Sequence, residues 1–187
     1  MEVQEVFEIN CVLDGEESIL CRQCCGRRGG CEATPAGALG NAAELVELLD
    51  WYRACFFHNA EDEEENAFVN FNEDAIRAAN NCVVHLGRAF VQMVATHNRY
   101  HGLSVAQKSR RTANYEAFLA RRRKIVGVDI EKLCLMPGDP GFVLWTSAKQ
   151  SFHDGISAAV GLQFDGDRLD EILEWMFEEF PVALGEL

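Results

Sequence analysis

Residues 72–102 read NEDAIRAANNCVVHLGRAFVQMVATHNRYHG, and this stretch decides the fold. Asn72 is suited to accept a free backbone N–H at a helix start, and Glu73 and Asp74 suit the positive end of the helix dipole. From Asn81 to Thr96 the residues are apolar around most of a helical circumference. Asn81, His85, Arg88 and Gln92 form a single polar seam at three- and four-residue steps. Gly102 suits a helix end. A helix apolar on most sides belongs in the middle of a bundle, so the helix at about 72–99 is expected to be central. Its seam makes His85 and Arg88 candidate binding residues.

Four further helices surround it in the sequence. Asn41 followed by Glu44 resembles a capping box, opening a helix with Leu45, Leu48, Leu49, Tyr52, Cys55 and Phe56 on one stripe. Glu61 to Glu65 is an unbroken acidic run and reads as a solvated loop. Beyond Gly102, a helix is expected from about Thr112 to Val126. Tyr115, Phe118, Leu119, Ile125 and Val126 should face inward and most of the arginines outward, while Arg122 shares the stripe of Phe118 and can pair with an acid at the core edge. Pro137-Gly138-Asp139-Pro140-Gly141 breaks the helical pattern. Ser147 and Gln150 are expected to cap a fourth helix carrying Phe152, Ile156, Ala159 and Val160. Asp165-Gly166-Asp167 separates it from a fifth, with Leu169, Ile172, Leu173, Met176 and Phe180 on one face and Pro181 as its stop.

The amino end differs. Phe7, Ile9, Cys11 and Leu13 alternate with Glu8, Asn10 and Val12, which predicts a strand over Val3 to Leu13. Asp14-Gly15 is a hairpin turn, Ser18 to Cys24 a return strand, and Cys24 to Cys31 a glycine-rich loop. The expected fold is mainly α: one domain over 1–187, with a cysteine-rich β-hairpin and loop at 1–31 and a helical bundle over 41–180.

The chain has 187 residues, enough to bury a core, and 48% hydrophobic against 25% charged residues is a globular mixture. No apolar run reaches the ~20 residues of a membrane span. Met1-Glu2-Val3-Gln4-Glu5 lacks the basic-then-apolar order of a signal peptide, so a cytoplasmic or nuclear location is expected, without secretion. The eight cysteines are then expected to be reduced thiols or metal ligands. Cys21 and Cys24 have the two-residue spacing that lets two thiolates share a tetrahedral zinc, and Cys11 and Cys31 can complete it. One structural zinc would hold down a hairpin with little core of its own. The alternative is buried or free thiols that pack as small hydrophobes. His97 and His101 share a helix face four residues apart, as metal ligands or as histidines at the negative end of the dipole. Asn98 stands where a hydrolytic metal motif needs Glu. If the hairpin folds onto this helix end, the two pairs make a Cys2His2 set.

The formal net charge is −13. Yet seven of the 17 basic residues, Lys108, Arg110, Arg111, Arg121, Arg122, Arg123 and Lys124, fall within 17 positions. From Asp165 onward eight acids meet one base, Arg168. The basic face over 108–124, above all Arg110, Arg111, Arg121, Arg123 and Lys124, is the candidate for phosphate or an acidic partner, against a solvated face that balances the acidic loop. No nucleophile elbow, phosphate loop or dinucleotide loop occurs. The sequence therefore points to a non-enzymatic intracellular interaction or regulatory protein, binding another protein through a helical groove or the hairpin face. The alternative is an RNA-binding, capsid-like or nucleoprotein-like subunit using the basic face.

His85-Leu86-Gly87-Arg88-Ala89-Phe90 resembles a little the Asn-Trp-Gly-Arg segment of the B-cell-lymphoma family of apoptosis regulators, with His85 and Leu86 in place of Asn and Trp. Ser151-Phe152 and Gly161-Leu162-Gln163-Phe164 are faintly similar to segments of rod-shaped plant-virus coat proteins, a pattern with no place for the cysteine-rich hairpin. Neither covers enough of the chain to assign a family.

Overall fold

A computed structural model describes residues 34–57, 69–103, 113–127 and 133–181. The predicted hairpin with Cys11, Cys21, Cys24 and Cys31, the Glu61–Glu65 run, and Lys108, Arg110 and Arg111 lie outside the described residues. What is described is mainly helical, with no strand: a 3-10 turn at Ala36–Ala38, then α1 (Leu39–Phe56), α2 (Glu73–His101), α3 (Ala113–Val126), α4 (Phe142–Val160) and α5 (Gly166–Glu178). No helix among these residues is long and apolar enough to cross a membrane.

The α2 helix begins as its sequence dictates. Asn72 Oδ1 accepts the Ala75 N–H at 2.9 Å, and Gly102 closes the far end in the left-handed region, φ 64°. Ala75, Ala79, Val83, Leu86, Met93 and Val94 are buried, while Asn81, His85, Arg88 and Gln92 are exposed as one seam. The seam is wider than expected. Val91 is 65% exposed, so α2 keeps one face open to solvent.

The α4 helix runs antiparallel along α2, and glycines set how closely the two approach. Gly155 sits over Cys82, where a Cβ would come 2.6 Å from the sulfur, and Gly141 sits over Met93, where a Cβ would come 3.1 Å from the backbone oxygen. Gly141 also has φ 95°, a backbone that other residues rarely adopt. This glycine turn starts α4 at Phe142, five residues before the cap expected at Ser147. Ser147 and Gln150 therefore lie inside the helix, and Trp145 joins Phe152 and Ile156 in the core.

α1 and α5 close the bundle through an aromatic cluster. The Trp51 indole N–H donates to the Met176 carbonyl at 2.9 Å, and its ring stacks on Phe177 at 5.4 Å and meets Phe180 edge-on at 4.8 Å. The Tyr52 hydroxyl donates to Asn80 Oδ1 at 2.6 Å, which satisfies a buried amide on α2. Asn41 is not the cap of α1. The helix starts at Leu39, and Asn41 is buried inside it, accepting from the Leu135 N–H at 2.9 Å and donating to Glu44 at 3.0 Å.

Candidate functional site

The last turn of α2 meets α3 in a cluster of rings. The alternation of Tyr115, Phe118 and Leu119 along α3 turns Tyr115 and Leu119 into a small core with Ala36 and Leu133, with Phe118 packed beside it. His97, 0% exposed, lies against this cluster. Its Nε2 is 3.1 Å from the Tyr115 hydroxyl oxygen, which also accepts the Gly37 N–H at 2.9 Å. The His101 ring lies 4.4 Å from His97 and 4.5 Å from Phe118, centroid to centroid. Gly37 must be small here, because a Cβ would stand 3.1 Å from both the Phe118 ring and the Tyr115 hydroxyl and 3.3 Å from His97 Cε1.

Beside the rings is a cleft of about 640 Å³, lined by Tyr100, His101, Tyr115, Phe118, Arg121 and the Gly138–Pro140 turn. Asp139 holds that turn. It accepts the Met136 N–H at 2.7 Å and forms an ion pair with Arg122, whose guanidinium also sits 5.3 Å from the Phe118 ring centre. The expected pairing of Arg122 with an acid at the core edge is what the fold contains.

Electrostatics weigh against one reading of the histidines. Burial first, then the neighbouring His101 and Arg122, lower His97 to about 4, with Asp139 opposing them. Burial lowers His101 as well, again against Asp139. Both shifts favour the neutral ring, which argues against a cationic role at the negative end of the helix dipole.

The basic residues divide. Arg121, Arg123 and Lys124 are exposed, as expected, and Arg121 borders the cleft. Ile125 and Val126 are not inward: they are 68% and 38% exposed, because the packed part of α3 ends with Tyr115 and Leu119, about three and two turns earlier. His85 and Arg88 are exposed on α2 and make no hydrogen bond or ion pair among the described residues. Arg88 is nine residues before His97, roughly 13 Å along the axis, so the fold keeps the seam apart from the cleft.

A second polar cluster escaped the sequence reading. Glu44 accepts from Trp145 Nε1 at 2.7 Å, Asn41 Nδ2 at 3.0 Å and Lys149 Nζ at 3.3 Å. Lys149 is buried, at 6% exposure. The signal was available: Lys149 falls on the same helical stripe as Trp145, Phe152 and Ile156. Cys134 nearby is pushed up to about 11 by burial and by Glu44, and Cys55 to about 12 by burial and Glu179. Both thiols stay protonated and are poor nucleophiles.

In comparisons with known proteins, no family model, no curated protein and no solved structure matches this chain.

Proposed function

We propose that this is a non-enzymatic interaction protein of the cell interior, which docks an acidic amphipathic segment of a partner protein on the basic end of α3 and the cleft beside it. One observation carries the reading: Ile125, 68% exposed, shares a helical face with Arg121 and Lys124. Bare aliphatic surface among cations suits a chain that offers both carboxylates and apolar side chains. It suits a phosphate backbone less, and so does a net charge of −13. The probes are a synthetic helical peptide with glutamates on one face and leucines on the other, and single-stranded oligouridylate. The reading expects saturable peptide binding that perturbs Arg121 and Ile125 and weakens gently with salt. Binding of the oligonucleotide alone, with a steep negative salt slope, would overturn it.

The RNA-binding alternative keeps one specific support. Tyr100 is 72% exposed at the cleft that Arg121 borders, and an aromatic ring beside a guanidinium is how single-stranded bases are stacked while their phosphates are held. The oligonucleotide arm of the same titration decides it.

A further inference from the structure

The α5 helix carries the kind of segment that the basic end of α3 is read to hold. Ile172 and Met176 turn into the core, while Glu171, Glu174, Trp175 and Glu178 follow one another at three- and four-residue steps along an exposed face. Trp175 is 46% exposed, a large apolar ring left among carboxylates. Tryptophan is among the side chains that most often anchor protein interfaces.

The basic end of α3 has the same spacing with the opposite charge. Arg121, Lys124 and Ile125 repeat the steps of Glu171, Glu174 and Trp175, cation for carboxylate and apolar residue for apolar residue. Set face to face, the two helices offer Trp175 to Ile125 and the glutamates to Arg121 and Lys124. Neither face is neutralised within its own molecule. Arg121, Lys124, Glu174 and Glu178 make no ion pair among the described residues, where Glu171 pairs with its neighbour Arg168 at 3.1 Å. The net charge of −13 makes two copies repel at long range. At physiological salt that repulsion is screened beyond about 8 Å, whereas contacts at ion-pair distance act inside this range.

We propose that the partner is a second copy of this chain: the exposed face of α5 in one molecule docks on the basic end of α3 in the next. This rests on α3 being a docking face for an acidic amphipathic helix, and it names the helix. Because unlike faces meet, the contact propagates head to tail until the assembly closes on itself.

Sedimentation velocity of the full chain, over a range of concentrations at physiological salt, tests this. The sedimentation coefficient should rise with concentration and fall back as salt is raised. Arg121→Glu/Lys124→Glu should weaken self-association more than about tenfold, and Glu174→Lys/Glu178→Lys should do the same, each with its melting temperature hardly changed. An equimolar mixture of the two reversed proteins should associate again, since each offers the other an opposite charge. Mixing could not repair a loss of fold. A wild-type chain that stays monomeric while binding the acidic amphipathic peptide would overturn this proposal and leave the docking reading standing. A chain that neither binds the peptide nor self-associates would end both. Self-association that survives both reversals, or a mixture that stays monomeric, would also overturn the proposal.

Discussion

Lys149 Nζ lies 3.3 Å from Glu44 Oε1, with the lysine side chain 8% exposed and the glutamate 26%. The pair joins α1 to α4 through the core edge, and Glu44 satisfies Asn41 and Trp145 at the same time. Removing the carboxylate strands a buried ammonium and two further donors. Glu44→Ala is expected to cost about 2–3 kcal/mol in urea unfolding, at the low end for buried pairs because Glu44 keeps some water. Lys149→Met added to Glu44→Gln should recover much of that loss. A neutral Glu44→Ala would show that the lysine leaves the core freely.

The contact of Gly155 with Cys82 sets a sign that one background change should reverse. An alanine Cβ would stand 2.6 Å from the Cys82 sulfur, itself 3.3 Å from the Ala78 carbonyl oxygen. Overpacking outweighs the ~1 kcal/mol that alanine gains over glycine inside a helix, so Gly155→Ala should destabilise by roughly 1 kcal/mol. With Cys82→Ala the sulfur is gone, and the nearest remaining atom, the Cβ of residue 82, lies at an ordinary 3.6 Å. Gly155→Ala should then stabilise. Equal effects in both backgrounds would mean that α2 and α4 are not in close contact there.

The protein should weaken in mild acid. His97 titrates near 6.5 when unfolded and at about 4 when folded, so as the pH falls between them protons bind the unfolded chain first. Stability contributed by the neutral ring is complete above 6.5 and is lost on the way down to about 4, up to roughly 3 kcal/mol. His101 acts in the same direction, and Asp139 opposes both. His97→Gln should flatten this part of the profile. An unchanged slope would assign it to carboxylates instead.

Much of the helical plan was legible because its signals are local. Asn72, Gly102 and the glycine-proline turn at 137–141 act on their own neighbours, and the α2 and α5 stripes repeat with the helical period. Longer-range facts were not. Asn41 has the residue pattern of a cap, yet Leu135, ninety-four positions away, takes its oxygen. Ile125 and Val126 have the spacing of core residues, but the bundle ends before it reaches them. The ring cluster of His97, His101, Tyr115 and Phe118 depends on how α3 crosses α2, which no spacing reveals, although the two histidines were visible as a pair.

The most direct measurement of the central claim is affinity for the acidic amphipathic peptide in Arg121→Glu/Lys124→Glu protein, read beside its melting temperature. Both residues are exposed, and exposed charges contribute only ~0–1 kcal/mol each, so the melting temperature should hardly move. Binding should fall by more than about tenfold, the loss of roughly 1.4 kcal/mol of attraction turned into repulsion. Undiminished affinity in the reversed protein would contradict the account and leave the basic end of α3 as a solvated face.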